Sequence, residues 1–297
     1  MKVEIKPGKY IIAVSGGVDS MVLLDLLLAK FHLPNSTFQF IVAHYDHGMR
    51  EDSAKDKQFV QETADSLGLL FVAENGQLGA RASEATARQK RYEFLDSVRG
   101  AHQADGIITA HHKDDAVETM IINMLRGTGR KGLSSLESSS RLMRPLLDYT
   151  KADILEYAED HKLEWVEDAT NTDQTYLRNY VRHTIIPKLV KKDKQKLLEI
   201  NKKLSELNKV IDKDINDVLQ MYDGGLKRTW FLQFPHKLQK ELAAEILRRE
   251  MGEVTASTIL MVTVAIKTLK PGKSLDLSRE LRLCSQKHRI EFQRTSI

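Results

Sequence analysis

One cysteine, Cys284, two tryptophans and six prolines are all that 297 residues hold of these types. A lone thiol cannot close an internal disulfide, which excludes a stapled secreted scaffold. No basic leader with an apolar core and a small-residue cleavage site opens the chain, so a cytoplasmic setting is expected. No apolar run approaches the roughly 18 residues of a membrane span. The longest, residues 21–29 and 259–266, belong to amphipathic patterns, and no membrane partner is expected. An excess of one charge is also missing, since the formal net charge is only +4. What charge there is lies unevenly: residues 188–203, KLVKKDKQKLLEINKK, carry seven lysines against Asp193 and Glu199. Such a stretch is either a solvated helix face or a local surface for a polyanion.

The length allows one large domain or two ordinary ones, each with a buried core. From residue 9 to about 166, short apolar runs alternate with helical periods, which predicts an α/β fold with a Rossmann-like parallel sheet and helices on both faces. The strands are expected at residues 10–14, 38–44, 69–73, 106–110 and 163–166. Helices are expected at 20–30, 53–67, 83–98, 114–126 and, after Thr150 as N-cap, 151–161. From residue 176 to 221 the chain turns polar, lysine-rich and helical, without glycine until Gly224 and Gly225. This shift in composition sets the expected organisation: residues 1–185 as the α/β domain, 186–222 as a basic helical linker, and 223–297 as a small C-terminal domain. The last of these is mainly helical, at 237–251 and 256–269, and ends in a small antiparallel meander over PGKSLDLSRELRLCSQKHRIEFQ.

The stretch YIIAVSGGVDSMVLLDLL puts a strand, two glycines and an Asp-Ser pair ahead of a helix. Ligands of open parallel sheets gather at the carboxyl ends of the strands. Gly16 and Gly17 permit close backbone approach, and the amides entering the helix at Asp19 and Ser20 lie at its positive end, so an anion is the natural guest. No lysine stands in the turn as a P-loop requires, and G-x-G-x-x-G is missing. Asp19 suggests magnesium bridging phosphates. The other strand ends are polar as well: HYDHGMRED, AENGQ and TAHHKDDAVET. Asp115 and Glu118 are three apart at a helix start and share a face. A carboxylate there can also merely cap the helix, and the histidines and acids can ligate a structural metal, although no zinc spacing is present. His44 can be an ordinary satisfied core histidine.

SGG-x-DS after a first strand closely resembles the pyrophosphate-binding signature of the ATP-pyrophosphatase (PP-loop) families. HYDHGMR, ARQKRYEFL, AHHKDDAVETMIINMLRGTGRKGLSSL, RLMRPLL and VEDATNTDQTYLRNYVRHTIIPKL follow in order and resemble the tRNA(Ile)-lysidine synthetase family over roughly residues 9–190. That resemblance implies an ATP-dependent carbon–nitrogen ligase that joins free lysine to the wobble cytidine of tRNA(Ile) with a CAU anticodon, through an adenylated cytidine. It implies ATP contacts from Ser15, Gly16, Gly17, Val18, Asp19, Ser20, His44, Asp46, Arg88 and His111, with Asp19 on magnesium. It also implies catalytic roles for Asp115, Glu118, Arg91 and Arg178, and lysine recognition by Asp115 and Glu118; which of the two is the base the resemblance leaves open, and we take Asp115 first. Arg182, Lys188, Lys191, Lys192 and Lys194 are expected on the RNA. By spacing alone, Arg88 can equally form a surface pair with Glu84. A sulfur-inserting relative would need catalytic cysteines, and a nucleotide-sensing module would have no use for the acidic helix start. Oligomeric state stays open, a homodimer included.

Overall fold

Ile11 and Ile12 are sequence neighbours and both wholly buried. Successive strand side chains point to opposite faces, so the sheet that contains them must be covered on both sides. In the computed structural model, β1 (Lys9–Ala13) is the central strand of five, with β2 (Gln39–Asp46), β3 (Leu70–Asn75), β4 (Gly106–Ile108) and β5 (Leu142–Met143). The order is β3-β2-β1-β4-β5, and every pairing is parallel. The structure describes the chain except residues 32–36, 49–52, 78, 80–83, 135, 168–176, 221–225, 253, 288 and 295–297. Gly224, Gly225 and the motif residues at 49–50 and 168–176 therefore lie outside the described residues, as does the side chain of Glu84.

One sheet face carries Ile12, Val14, Val42 and Ile108 against Leu23, Leu24 and Leu27 of α1 (Val18–Phe31) and Ile154 of α6 (Lys151–Asp160), with Val60 of α2 (Ser53–Ser66) beside them. The other carries Ile11, Ile41, Ala43 and Ile107 against Phe94, Leu95 and Val98 of α3 (Glu84–Ala101). A third cluster joins Val117 and Ile122 of α4 (Lys113–Leu125) to Val181 and Ile186. The helix starts follow from local chemistry. Thr150 Oγ1 accepts from the Asp153 amide at 3.2 Å, and Asp153 Oδ2 accepts from the Thr150 amide at 2.7 Å, a reciprocal cap for α6.

The expected α/β architecture holds, with one correction. The fifth strand is Leu142–Met143 of the RLMRPLL motif, not residues 163–166. The latter run on without sheet pairing, and the Val166 amide donates to the Gly16 carbonyl at 3.0 Å, so that segment buttresses the glycine turn.

The chain divides into two compact units: Met1–Gly127 with Gly132–Lys202, and Thr128–Lys131 with Lys203–Ile297. α8 (Lys191–Gln220) runs unbroken past their limit, preceded by α7 (Leu177–Tyr180), a π-type turn (Val181–Ile185) and a short 3-10 turn (Ile186–Lys188). In the second unit, Phe231, Leu242, Leu247, Val262, Ile266, Leu283 and Ile290 form one core. It draws on α9 (Arg228–Leu232), α10 (His236–Met251), α11 (Ala256–Thr268) and an antiparallel sheet of β6 (Leu226–Lys227), β7 (Ser274–Asp276), β8 (Leu281–Ser285) and β9 (Arg289–Arg294) in the order β6-β9-β8-β7, whose last three strands are the expected meander. Arg130 of the four-residue α5 (Arg130–Leu133) ties into this unit through Asp212 at 2.7 Å and Glu241 at 2.9 Å. Among the described residues no helix is long and apolar enough to cross a membrane.

Candidate active site

The glycine turn leaves β1 at its carboxyl end and wraps around Ser20, which is buried. Ser20 Oγ donates to the Gly17 carbonyl at 2.8 Å and accepts from the Ser15 amide at 3.2 Å, while the Ser15 and Ser20 hydroxyl oxygens lie 3.3 Å apart. Gly16 sits at φ +92°, where an L side chain is strained. Val18 is buried among apolar side chains, so what it offers the turn is its backbone. These hydroxyls and the first amides of the 14-residue α1 face one end of a helix dipole, a ready place for phosphate.

Beside the turn lies an acidic pocket built on the start of α4. The buried His112 places Nε2 3.9 Å from Asp19 Oδ1 and 3.5 Å from Asp115 Oδ2, with Nδ1 3.8 Å from Asp114 Oδ2. The His112 amide donates to Asp115 Oδ2 at 3.0 Å, so Asp115 caps its helix as well as facing the pocket. One turn on, the buried Glu118 receives the Arg182 guanidinium, and Arg178 donates to Thr119 Oγ1 at 3.3 Å. Both arginines come from the stretch where α7 widens into the π-type turn, a distortion often found at functional sites. Burial acts to raise the Asp115 pKa, but His112, its amide, His111 and Arg182 prevail and hold it below the ordinary carboxylate range. A carboxylate held down by neighbouring cations suits holding a cation.

On the far side of His111 the charge reverses. The Arg88 and Arg91 guanidinium carbons lie 4.9 Å and 5.5 Å from the Tyr92 ring centroid, stacked on α3. His111 meets Thr109 Oγ1 through Nδ1 at 2.9 Å. Burial pushes its pKa down to about 3; Asp115 opposes this, and Arg91, Arg144 and Arg88 add to it.

The sequence-expected residues thus divide. Ser15 to Ser20, Arg88, Arg91, His111, Asp115, Glu118, Arg178 and Arg182 gather at the carboxyl ends of the strands. His44 is buried, with Nδ1–H donating to the Val14 carbonyl at 2.9 Å, and burial lowers its pKa. Asp46 is also buried and holds its own loop, accepting from the Gly48 amide at 2.8 Å and from Ser53 Oγ and Asn75 Nδ2 at 3.0 Å each. Lys188 is exposed at the end of the 3-10 turn, and at the start of α8 Lys191 and Lys192 are exposed and Lys194 half-buried.

Sequence reasoning missed Lys151. Its Nζ donates to Asp19 Oδ1 at 2.6 Å, and its amide donates to Asp114 Oδ2 at 2.7 Å. The signal was a lysine in the first turn of a helix, the end that disfavours a cation. Arg144 was also missed, although its motif was recognised.

Residues 2–189 match the family described as PP-loop domain. The chain is 37% identical over 224 residues to the tRNA(Ile)-lysidine synthase of Lactobacillus johnsonii, covering 73% of this chain and 51% of that protein. To the tRNA(Ile)-lysidine synthase of Idiomarina loihiensis it is 35% identical over 258 residues, covering 82% and 56%. The chain spans about half the length of the curated relatives it matches. Among solved structures, the U34-tRNA thiolase NcsA from Methanococcus maripaludis, with its [4Fe-4S] cluster, aligns with a TM-score of 0.55 at 16% identity, over 68% of this chain and 74% of that one, a likeness of fold. Because the matched stretch takes in the whole parallel sheet, its glycine turn and the acidic start of α4, the chain belongs to the PP-loop domain family.

Proposed function

We propose that the chain is an ATP-dependent tRNA(Ile)-lysidine synthetase, acting through residues 1–185, with 186–222 as a basic helical linker and 223–297 as an RNA-binding accessory. The observation that carries the reading is a carboxylate pair, the buried Glu118 and the half-buried Asp115, closed on a guanidinium beside a phosphate-type glycine turn. That juxtaposition suits an enzyme that must hold a nucleotide and a cationic amine within reach of one base.

In the first step the cytosine 2-oxygen attacks the α-phosphorus of ATP and the bond to pyrophosphate breaks. Ser15, Ser20 and the amides of Gly17, Val18 and Asp19 hold the leaving pyrophosphate, and Arg88, Arg91 and Arg178 meet the charge that develops on phosphoryl oxygens. In the second step the lysine amine attacks C2, the carbon–oxygen bond breaks and AMP leaves. Free lysine, with a pKa near 10.4, is neutral only about once in 10³ to 10⁴ molecules at neutral pH, so the site must both bind the ammonium and let its proton go. Glu118 and Asp115 bind it. The same carboxylates are at hand to accept its proton, with Asp115 the first choice.

Magnesium fits this donor set. Among the described residues no cluster of three or more His, Cys, Asp or Glu is arranged to hold a metal ion, but magnesium commonly takes only one or two carboxylates and fills its shell with phosphate and water. Asp19 already draws a cation, the Lys151 ammonium. Bound there with Asp19, magnesium would neutralise charge on the phosphates.

The partners are tRNA(Ile) with a CAU anticodon and free lysine. Thiolation is disfavoured, because Cys284, the one thiol, lies on β8 (Leu281–Ser285) of the second unit. The test is pyrophosphate release from ATP with and without a CAU-anticodon tRNA(Ile) transcript. Release that requires the transcript supports the reading, and release indifferent to it rejects it.

A further inference from the structure

Arg144 follows β5 directly, at the same edge of the sheet as the glycine turn. It is 8% exposed. Its backbone amide donates to Ser138 Oγ at 2.8 Å, and its Nη1 donates to the Glu137 carbonyl. Its Nε is buried without a hydrogen-bond partner, and among the described residues no carboxylate stands within ion-pair distance of it. A guanidinium so placed is expensive to bury, and a purely structural arginine would be matched by a counter-charge.

The cost is repeated nearby. Arg88 and Arg91 stack on Tyr92 from α3, and among the described residues neither has a carboxylate partner. Burial lowers the pKa of Arg91, with Tyr92 opposing and Arg88 and Arg178 adding to the effect. Burial likewise lowers that of Arg144, with Tyr92 again opposing and Arg88 adding. All three guanidinium groups act on His111, where Asp115 is the one opposing charge. They come from two elements more than 50 residues apart, so no single helix pattern explains their convergence.

We propose that Arg144, with Arg88 and Arg91, forms a subsite for a phosphoryl group. This rests on the reading of the chain as a lysidine synthetase and extends it to a residue outside the glycine turn and the acidic pocket. The forked donors of arginine match the oxygens of a phosphoryl group, and the burial of Arg144 strengthens the attraction. Two sources share this chemistry: the α-phosphoryl of the nucleotide and a backbone phosphate of the RNA beside the reacting base.

The test is equilibrium binding of AMP and, separately, of a CAU anticodon stem-loop RNA to the full chain, as wild type, Arg144→Gln and Arg144→Lys, with melting temperatures measured alongside. The expected result is a loss of about tenfold to a hundredfold for at least one ligand in Arg144→Gln, the range of a charge-assisted hydrogen bond. The ligand that suffers identifies the source. Arg144→Lys should recover only part, since an ammonium lacks the fork. If Arg144→Gln melts well below wild type, Arg144→Lys decides, because it keeps a donor for the Glu137 carbonyl. Wild-type affinity for both ligands in a folded variant overturns the subsite alone. Failure of the wild type to bind either ligand overturns the subsite together with the lysidine reading.

Discussion

Arg182 closes on Glu118 with two hydrogen bonds, Nε to Oε1 at 2.7 Å and Nη2 to Oε2 at 2.9 Å, and its Nη2 reaches Asp115 Oδ1 at 3.4 Å. Expected from sequence on the RNA, Arg182 is instead paired within the chain with both carboxylates. Glu118→Gln keeps the shape and removes the charge. Apparent lysine affinity should fall about tenfold to a hundredfold, the equivalent of roughly 1.5–3 kcal/mol, while tRNA-dependent pyrophosphate release without lysine falls much less. Equal loss of both would make Glu118 scaffold.

The two glycines of the turn should separate by mutation. Gly16→Ala forces an L side chain to φ +92° and places Cβ 3.3 Å from Val60 Cγ2, so it should cost about 1–2 kcal/mol of stability and weaken ATP binding. At Gly17 an added Cβ meets only Ser15 Oγ at 3.6 Å. Gly17→Ala should therefore melt near wild type and lose nucleotide affinity, because the methyl stands where phosphate approaches. Melting curves with and without ATP distinguish the two; a Gly17→Ala protein that binds ATP normally contradicts the assignment.

Stability should decline as pH falls. His111 is held down to about 3, mainly by burial, and Asp115 and His44 are also depressed. Below about pH 6.5 the unfolded chain takes up a proton at His111 that the folded chain refuses, so stability present above that pH is lost progressively toward pH 3. Urea midpoints at pH 7 and pH 5 should differ, and by less in His111→Asn. An unchanged difference in that variant would remove His111 from the explanation.

Replacing Lys191, Lys192 and Lys194 with Gln should weaken tRNA binding and leave ATP affinity unchanged. If all three lysines contact phosphates, the slope of log affinity against log salt should become shallower by about two to three. A slope equal to wild type would mark this stretch as a solvated helix face.

Much of this was legible in the sequence, because it is local. The run YIIAVSGGVDS specifies strand, turn and helix within one short window, and the Thr150 cap sits three residues from its partner Asp153. The acidic start of α4 was readable for the same reason. What escaped was set by contacts across the chain. β5 has two residues, too few for an alternation to show, and its real evidence is pairing with β4. Lys151 reaches Asp19 across 132 positions and Arg182 reaches Glu118 across 64, distances over which spacing says nothing. Arg144 lay in a recognised motif, but only its burial exposes the cost of the charge.

The most direct measurement is nucleoside analysis of a CAU-anticodon tRNA(Ile) transcript after incubation with the protein, ATP, magnesium and isotopically labelled lysine. The wobble cytidine should be replaced by a nucleoside carrying the label, formed only when ATP and lysine are both supplied, and lost in Asp19→Ala. An unlabelled cytidine at that position, despite tRNA-dependent pyrophosphate release, would contradict the lysidine reading.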